Sequence, residues 1–167
     1  MPFSDTPLPP NAFRYENLRL DDLRGRDLSK DIVIIPVSPC ENHGTHLPTG
    51  TDIYITEEFA RRVAGIYGAR HPETRLLLYP HITVGSATIR GMGSVKITSR
   101  QLRRGLLFLC RRFMVLGFRH FVFFSRRTAA CRTRARWTTC AKCSARGARR
   151  RWPPARARRS TPTAANT

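Results

Sequence analysis

Three short apolar runs, separated by segments with helical spacing, constrain the fold of this 167-residue chain more than any other feature. The first run, at 32–37, reads Ile-Val-Ile-Ile-Pro-Val, and the others lie at 76–78 and 121–124. Continuous apolar runs of this length are typical of strands buried on both faces of a parallel sheet. We therefore predict a doubly wound α/β sheet built from strand–helix–strand units.

Two helices are predicted between these strands. In the first, at 56–67, apolar side chains recur every three or four residues and predict the buried face: Ile55, Phe59, Val63 and Ile66. The second is predicted to have Ser99 as its N-cap, to run to Leu116 and to stop at Gly117.

The composition of the chain changes abruptly after Ser125. Residues 1–125 carry 17 Lys+Arg and 11 Asp+Glu, whereas residues 126–167 carry 13 Lys+Arg and no acidic residue. This second segment has no period of 2 or 3.6 and only Trp137 and Trp152 as large apolar residues. We therefore predict a domain at 1–125 and a disordered Arg/Ala-rich tail at 126–167, which provides most of the net charge of +19.

One loop carries the residues best suited to chemistry. Glu41, His43, His46 and Asp52 lie between the first predicted strand and the first predicted helix. Active groups in open α/β sheets sit on loops at the carboxyl ends of strands. Carboxylate and imidazole suit Zn or Mn, and two such ions about 3.5–4 Å apart can activate water for attack on an amide. The alternative is a polar loop with a capping Asp and surface histidines.

The loop also carries a family resemblance. Its pattern, Glu-x-His-Gly-x-His-Leu-Pro-x-x-Thr-Asp following Ile-Pro-Val-Ser, resembles the signature of the creatininase (creatinine amidohydrolase) family. The resemblance covers about residues 15–125. It implies a three-layer α/β sandwich with a mostly parallel sheet, two divalent metal ions (Zn or Mn), and a homo-oligomer, commonly a hexamer. The implied reaction is hydrolysis of a C–N bond in a small, often cyclic amide.

The resemblance also implies roles for individual residues. Glu41 would bind one metal ion, His43 the other, and Asp52 would bridge them. His46 matches a family histidine that we expect beside the ligands and not on the metal. No catalytic residue beyond the metal ligands is assigned.

The chain departs from the family pattern after its third predicted strand. The family continues there with Asn-Gly-His-Gly-Gly-Asn, whose His is a metal ligand, whereas this chain continues Ser-Arg-Arg-Thr-Ala-Ala from Ser125. The loop at 89–94 also differs from the family's usual Phe-Pro-Gly-Thr. We therefore expect the front half of a family domain, with an incomplete fold, partial or absent metal binding and little or no activity.

A shifted reading frame would explain the departure. Codons that straddle Arg127/Thr128 and the next two junctions can encode His-Gly-Gly, the family's own residues. The codon that straddles Trp137/Thr138 must encode Asp. Those across Arg136/Trp137 and Thr139/Cys140 must encode Leu, Met or Val. We therefore predict a frameshift near residue 125.

Other classes of protein are disfavoured or remain as alternatives. No run approaches the roughly 18–20 apolar residues of a membrane span, and residues 1–10 lack the apolar core of a signal peptide. We therefore expect a cytoplasmic protein without a membrane partner. The alternative function is that of a basic, nucleic-acid-associated protein that contacts phosphates non-specifically through its Arg-rich tail.

Overall fold

The computed structural model describes residues 7–125. Four strands and two helices occur in the order β1 (Ala12–Arg14), β2 (Ile32–Val37), α1 (Thr51–Arg70), β3 (Leu76–Leu78), α2 (Ser99–Leu116) and β4 (His120–Ser125). Three short 3-10 turns join β1 to β2, at Tyr15–Asn17, Leu20–Asp22 and Leu28–Lys30.

The strands form one parallel sheet with the order β1-β3-β2-β4. β2 is central: its Ile32 is in register with Leu76 of β3 on one side and with His120 of β4 on the other. Parallel strands require crossover connections. Helix α1 joins β2 to its neighbour β3, and α2 joins β3 to β4 on the other side of β2. The predicted α/β class with a parallel sheet is therefore confirmed.

β2 is apolar throughout because helices cover both of its faces. Ile34 packs with Ala60 and Ala64 of α1. Val33 and Ile35 point to the opposite face, where they pack with Phe113 of α2. The alternation of side chains across a strand therefore gives two core clusters, one in each gap of a helix–sheet–helix sandwich.

The buried face of α1 differs from the prediction, although one of the predicted core residues, Val63, is partly buried against the core cluster. A stripe of mostly small residues at four-residue spacing faces the sheet: Asp52, Thr56, Ala60, Ala64 and Gly68. The predicted core residues Ile55, Phe59 and Ile66 are 43–58% exposed, although the Phe59 ring contacts that of Phe124. Small side chains allow α1 to lie close to the sheet. Close packing, and not the hydrophobicity of large side chains, therefore selects the buried face.

The ends of α2 are set by local hydrogen bonds. Thr98, and not the predicted Ser99, is the N-cap: its Oγ1 accepts from Gln101 N at 3.2 Å, and Gln101 Oε1 accepts from Thr98 N at 2.9 Å. This reciprocal pair is a capping box. Gly117 ends the helix in the left-handed conformation (φ 115°), as predicted.

The outer strands differ from the prediction. β4 was predicted to be a buried strand, but only Phe124 of its six residues is buried. The reason is its position at one edge of the sheet that residues 7–125 form, where β2 is its neighbour. β1 was not predicted, because its three residues, Ala-Phe-Arg, show no period and do not form a continuous apolar run like the three leucines of β3.

The predicted tail at 126–167 lies outside the described residues. Within residues 7–125, neither helix is long and apolar enough to cross a membrane.

Two phenylalanines of α2 provide a matched test of the core. Phe113 is 3% exposed and Phe108 is 67% exposed. Phe113→Ala is expected to lower the free energy of unfolding by about 3–5 kcal/mol, through lost burial and the cavity left behind. Phe108→Ala, the same change in the same helix, is expected to stay within about 0.5 kcal/mol. Urea unfolding measures both, and similar losses would contradict the observed packing of α2.

Candidate metal centre

The candidate metal ligands come from the loop after β2 and from the first turn of α1. Glu41 follows the end of β2 by four residues, and Asp52 is the second residue of α1, so it lies on the helix and not on the predicted loop. Glu41 N donates to Thr49 O at 3.0 Å, which closes the intervening segment into a compact loop. The two carboxylates are thereby held at the carboxyl edge of the sheet, where sites of this fold class form.

Glu41, His43 and Asp52 converge. One ligand atom from each lies within 4.8 Å of the other two. His43 Nε2 is 3.6 Å from Asp52 Oδ1, and the Glu41 and Asp52 residues are 0% and 2% exposed. The structure therefore brings together the three residues that the sequence predicted as metal ligands. They are the donor types that Zn and Mn accept.

A hydrogen bond sets the orientation of the His43 ring. Nδ1 lies 3.0 Å from the carbonyl oxygen of Glu41, and a carbonyl can only accept, so Nδ1 carries the proton. In the neutral ring Nε2 then has a free lone pair directed to the side of Asp52. Metal-binding histidines are commonly fixed in this way by a bond from their other nitrogen.

The Glu41 carboxylate is buried but only partly hydrogen-bonded. Ile89 N donates to Oε2 at 2.8 Å, whereas Oε1 receives no hydrogen bond within residues 7–125. Burial raises the pKa of the Glu41 carboxyl, and the neighbouring Asp52 carboxyl raises it further, against the lowering effects of the Ile89 N–H and of His43. Two buried carboxylates this close to each other repel, and the positive charge near them is too small to offset that repulsion.

Sequence reasoning identified a loop at 89–94 but missed that the segment at 85–96 contacts and supports this cluster. Besides Ile89, its Ser94 Oγ accepts from Asn42 N at 2.9 Å, and Met92 O accepts from Asn42 Nδ2 at 3.0 Å. Gly93 has φ 88°, and a Cβ there would lie 3.0 Å from Thr49 Cγ2. The glycines of this loop were a usable signal, since they permit its close approach to the β2–α1 loop, which carries Glu41 and His43.

His46 lies on the outer side of the β2–α1 loop. It is exposed, and its ring lies against Gly44, where a Cβ would be 3.1 Å from Nδ1. His46 is not among the clustered ligand atoms. Its predicted place beside the ligands stays a prediction.

The motif and its geometry agree with a comparison to known families. The family model of creatinine amidohydrolase matches residues 16–129. The chain belongs to the creatininase family. The predicted family resemblance is thus confirmed.

Solved creatininases share the fold. A mutant creatininase complexed with creatine matches with a TM-score of 0.55 at 18% identity, over 65% of this chain and 42% of that one. A creatinine amidohydrolase (creatininase) matches with a TM-score of 0.54 at 20% identity, over 65% and 42%. A creatinine amidohydrolase from Bacteroides fragilis matches with a TM-score of 0.54 at 19% identity, over 65% and 43%.

A curated relative matches a shorter segment. The 3-dehydro-scyllo-inosose hydrolase of Thermotoga maritima is 34% identical over 55 residues, which is 33% of this chain and 18% of that protein. This creatininase-family chain therefore matches less than half the length of each of these relatives.

At the start of the β2–α1 loop, Ser38 forms a polar pair with His81. Ser38 is buried at the end of β2, and its Oγ lies 2.7 Å from His81 Nε2. Burial lowers the pKa of His81, against the raising effect of its hydrogen bond to Ser38.

The His81 shift predicts a dependence of stability on pH. Because the folded pKa is depressed, the contribution is present above the unfolded pKa of about 6.5 and is lost as the pH falls through the folded pKa. His81→Gln should therefore lose less stability than the parent chain between about pH 7.5 and about pH 5.5. Urea unfolding in the presence of a chelator measures this, with the exposed His120→Gln as the control. Equal losses for the parent and His81→Gln would show that His81 does not govern this range.

Proposed function

We propose that this creatininase-family chain binds a divalent metal ion through Glu41, His43 and Asp52, and that the site belongs to a hydrolase acting on a C–N bond in a small amide. The convergence of three ligand atoms within 4.8 Å, two of them from carboxylates that are almost fully buried, carries the proposal. Buried carboxylates are rare unless they are paired or bind a cation.

The electrostatics of this site support a cation there. Glu41 has a buried Oε1 without a hydrogen bond in the described part of the chain, and the nearby Asp52 adds like charge. A divalent ion between these groups would offset the repulsion. His43 adds a neutral donor whose lone pair is fixed by the bond from its Nδ1 to Glu41 O.

The residues of the chain would position the reaction. A bound divalent ion would polarise a carbonyl and lower the pKa of a water molecule. Glu41 is fixed by the Ile89 N–H, and Asp52 is fixed on the first turn of α1. The protein therefore contributes Asp52 from a helix, Glu41 and His43 from a hydrogen-bonded loop, and a buried floor at the end of β2. Fixed groups in a buried setting strengthen electrostatic interactions.

The substrate we infer is a small amide, with a cyclic amide favoured. The family description, creatinine amidohydrolase, supports the amide, and the creatine-bound creatininase shows a small ligand in that protein. The name of the Thermotoga protein, 3-dehydro-scyllo-inosose hydrolase, indicates that a relative acts on another compound. The family match therefore supports hydrolysis of a small molecule more strongly than any one substrate.

We also propose that the site needs ligands beyond Ser125. Ser125, the last residue of β4, is in register with Val37 of β2, four residues before Glu41. The chain therefore leaves the sheet at the same edge as the cluster. The next residues are Arg126 and Arg127, and a cation cannot act as a metal ligand. Three protein ligands suit one ion better than two, so the two-metal site is proposed only for a chain with the shifted frame restored.

Metal binding is tested by its effect on stability. Mn or Zn at about 100 times its dissociation constant should raise the free energy of unfolding of the full chain by about 2.7 kcal/mol. Glu41→Gln should remove most of this gain, because it replaces a charged ligand with a neutral amide. The control is Glu58→Gln. Glu58 lies in α1, as Asp52 does, but the Glu58 carboxylate pairs with Arg62 at 2.6 Å.

Two results would count against the metal proposal. One is a metal-induced gain that persists in Glu41→Gln. The other is a gain of equal size for Mg and Zn that high salt removes, since this would indicate non-specific binding to the surface.

Without added metal, Glu41→Gln should be at least as stable as the parent chain at pH 7, because it removes a buried charge.

The frame proposal is tested on the gene itself. Resequencing across codons 120–135 should reveal one missing or extra base that restores His-Gly-Gly after Ser125. The restored protein, assayed with Mn or Zn on small cyclic amides, should hydrolyse them, whereas the present chain should show little or no turnover. A frame that stands as written would refute this proposal and leave the Glu41 cluster to be tested as a single-ion site.

The alternative function depends on residues outside the described part of the chain. The net charge of +13 on residues 126–167 favours contact with nucleic-acid phosphates. Such binding would weaken steeply with salt and would not depend on Glu41. The family match lies almost entirely before this segment, so the hydrolase proposal is the better supported of the two.

A further inference from the structure

A cavity lies on the carboxyl edge of the sheet, and its lining does not include the metal-ligand cluster. Its volume is about 380 Å³, within the range of about 300–1,000 Å³ typical of small-molecule sites. Polar and charged side chains contribute to its lining, as do apolar residues: Arg14, Glu16, Glu57, His81, Pro36 and Leu78.

The topology explains the place of this cavity. Arg14 and Leu78 are the last residues of the neighbouring strands β1 and β3, and Pro36 is near the end of β2. Glu57 reaches it from α1. Ligands of open α/β sheets bind outside the carboxyl ends of strands, so the cavity occupies a position where the fold favours binding.

The ion pairs in the cavity leave negative charge in excess. Arg14 contacts Glu16 Oε1 at 3.3 Å and Glu57 Oε1 at 3.4 Å. One guanidinium therefore serves two carboxylates, each through a single oxygen, and neither Oε2 has a donor within the described residues. Both distances exceed the roughly 2.7–2.9 Å of strong charge-assisted bonds.

His81, which also lines the cavity, does not offset this negative charge. Burial lowers the pKa of His81, and its Nδ1 is buried without a hydrogen-bond partner among residues 7–125. At neutral pH, Arg14, Glu16, Glu57 and His81 together carry a net charge of about −1. Pro36 and Leu78 add an apolar surface beside them.

We propose that this cavity is a binding site for a small organic cation such as a protonated amine, amidine or guanidine. The free Oε2 atoms of Glu16 and Glu57 would accept its N–H groups, and its carbon atoms would lie against Pro36 and Leu78. This inference goes beyond the proposed hydrolase and does not require metal. It is therefore tested with a chelator present, so that its failure is separate from that of the metal site.

The probe is methylguanidinium, because it carries the same charged head group as Arg14. Calorimetric titration of the full chain with methylguanidinium, at constant ionic strength, should show saturable 1:1 binding. N-methylurea, of similar shape but neutral, should not bind. Glu57→Gln should weaken binding roughly tenfold or more, since it removes a charged acceptor. Glu57→Asp should bind more tightly than Glu57→Gln, and Glu58→Gln, with a charge lost one residue away, should bind like the parent chain.

Arg14→Ala separates a cation site from an anion site. If the cavity accepts cations, Arg14→Ala should bind methylguanidinium more tightly than the parent chain, because the ligand then replaces the missing head group. Binding of acetate that Arg14→Ala abolishes would overturn the proposal. So would the absence of saturable methylguanidinium binding, or equal weakening by Glu57→Gln and Glu58→Gln. Thermal unfolding confirms that each variant is folded, and Glu16→Gln replaces Glu57→Gln if that variant is not.

Discussion

The central strand β2 is the element on which the rest of the structure depends. It pairs with β3 on one side and with β4 on the other, and its side chains take part in both core clusters. A strand covered on both faces must be apolar along its whole length, which accounts for the run Ile-Val-Ile-Ile-Pro-Val. The same rigid strand delivers the chain to Glu41, so the core and the candidate metal centre have a common origin.

Three segments that meet at the carboxyl end of this strand build the candidate ligand cluster. Glu41 leaves β2 directly, Asp52 enters at the start of α1, and Ile89 comes from the loop after β3 and fixes Glu41 Oε2. Each connection leaves the sheet at its carboxyl edge, because all four strands are parallel. A parallel sheet therefore brings together side chains that are far apart in sequence, and the β2–α1 loop supplies Glu41 and His43 of the candidate ligands.

The sequence predicted β2, β3, β4 and both helices, and it pointed to the candidate ligands, because each of these depends on local pattern. The run at 32–37 and the motif from Glu41 to Asp52 are readable without distant contacts. The buried face of α1 was not readable in this way. Ile55 and Phe59 form the more apolar stripe, yet the sheet contacts Ala60 and Ala64, because close packing favours small side chains there. The contact between Ile89 and Glu41 also depends on tertiary structure, and no period or motif reports it.

The exposed apolar stripe of α1 and the half-buried strand β4 have the same explanation. Phe59 reaches Phe124, the buried residue of β4. Beyond that contact, the Ile55 and Phe59 stripe of α1 and the outer edge of β4 are uncovered within residues 7–125. The solved creatininases are more than twice as long as the part this chain matches. In such proteins further structure is available to cover a strand edge and the helix beside it. An apolar stripe that is misplaced for a domain of this size is well placed in a larger one. The residues that most misled the prediction of the α1 face, Ile55 and Phe59, are thus consistent with the family to which the chain belongs.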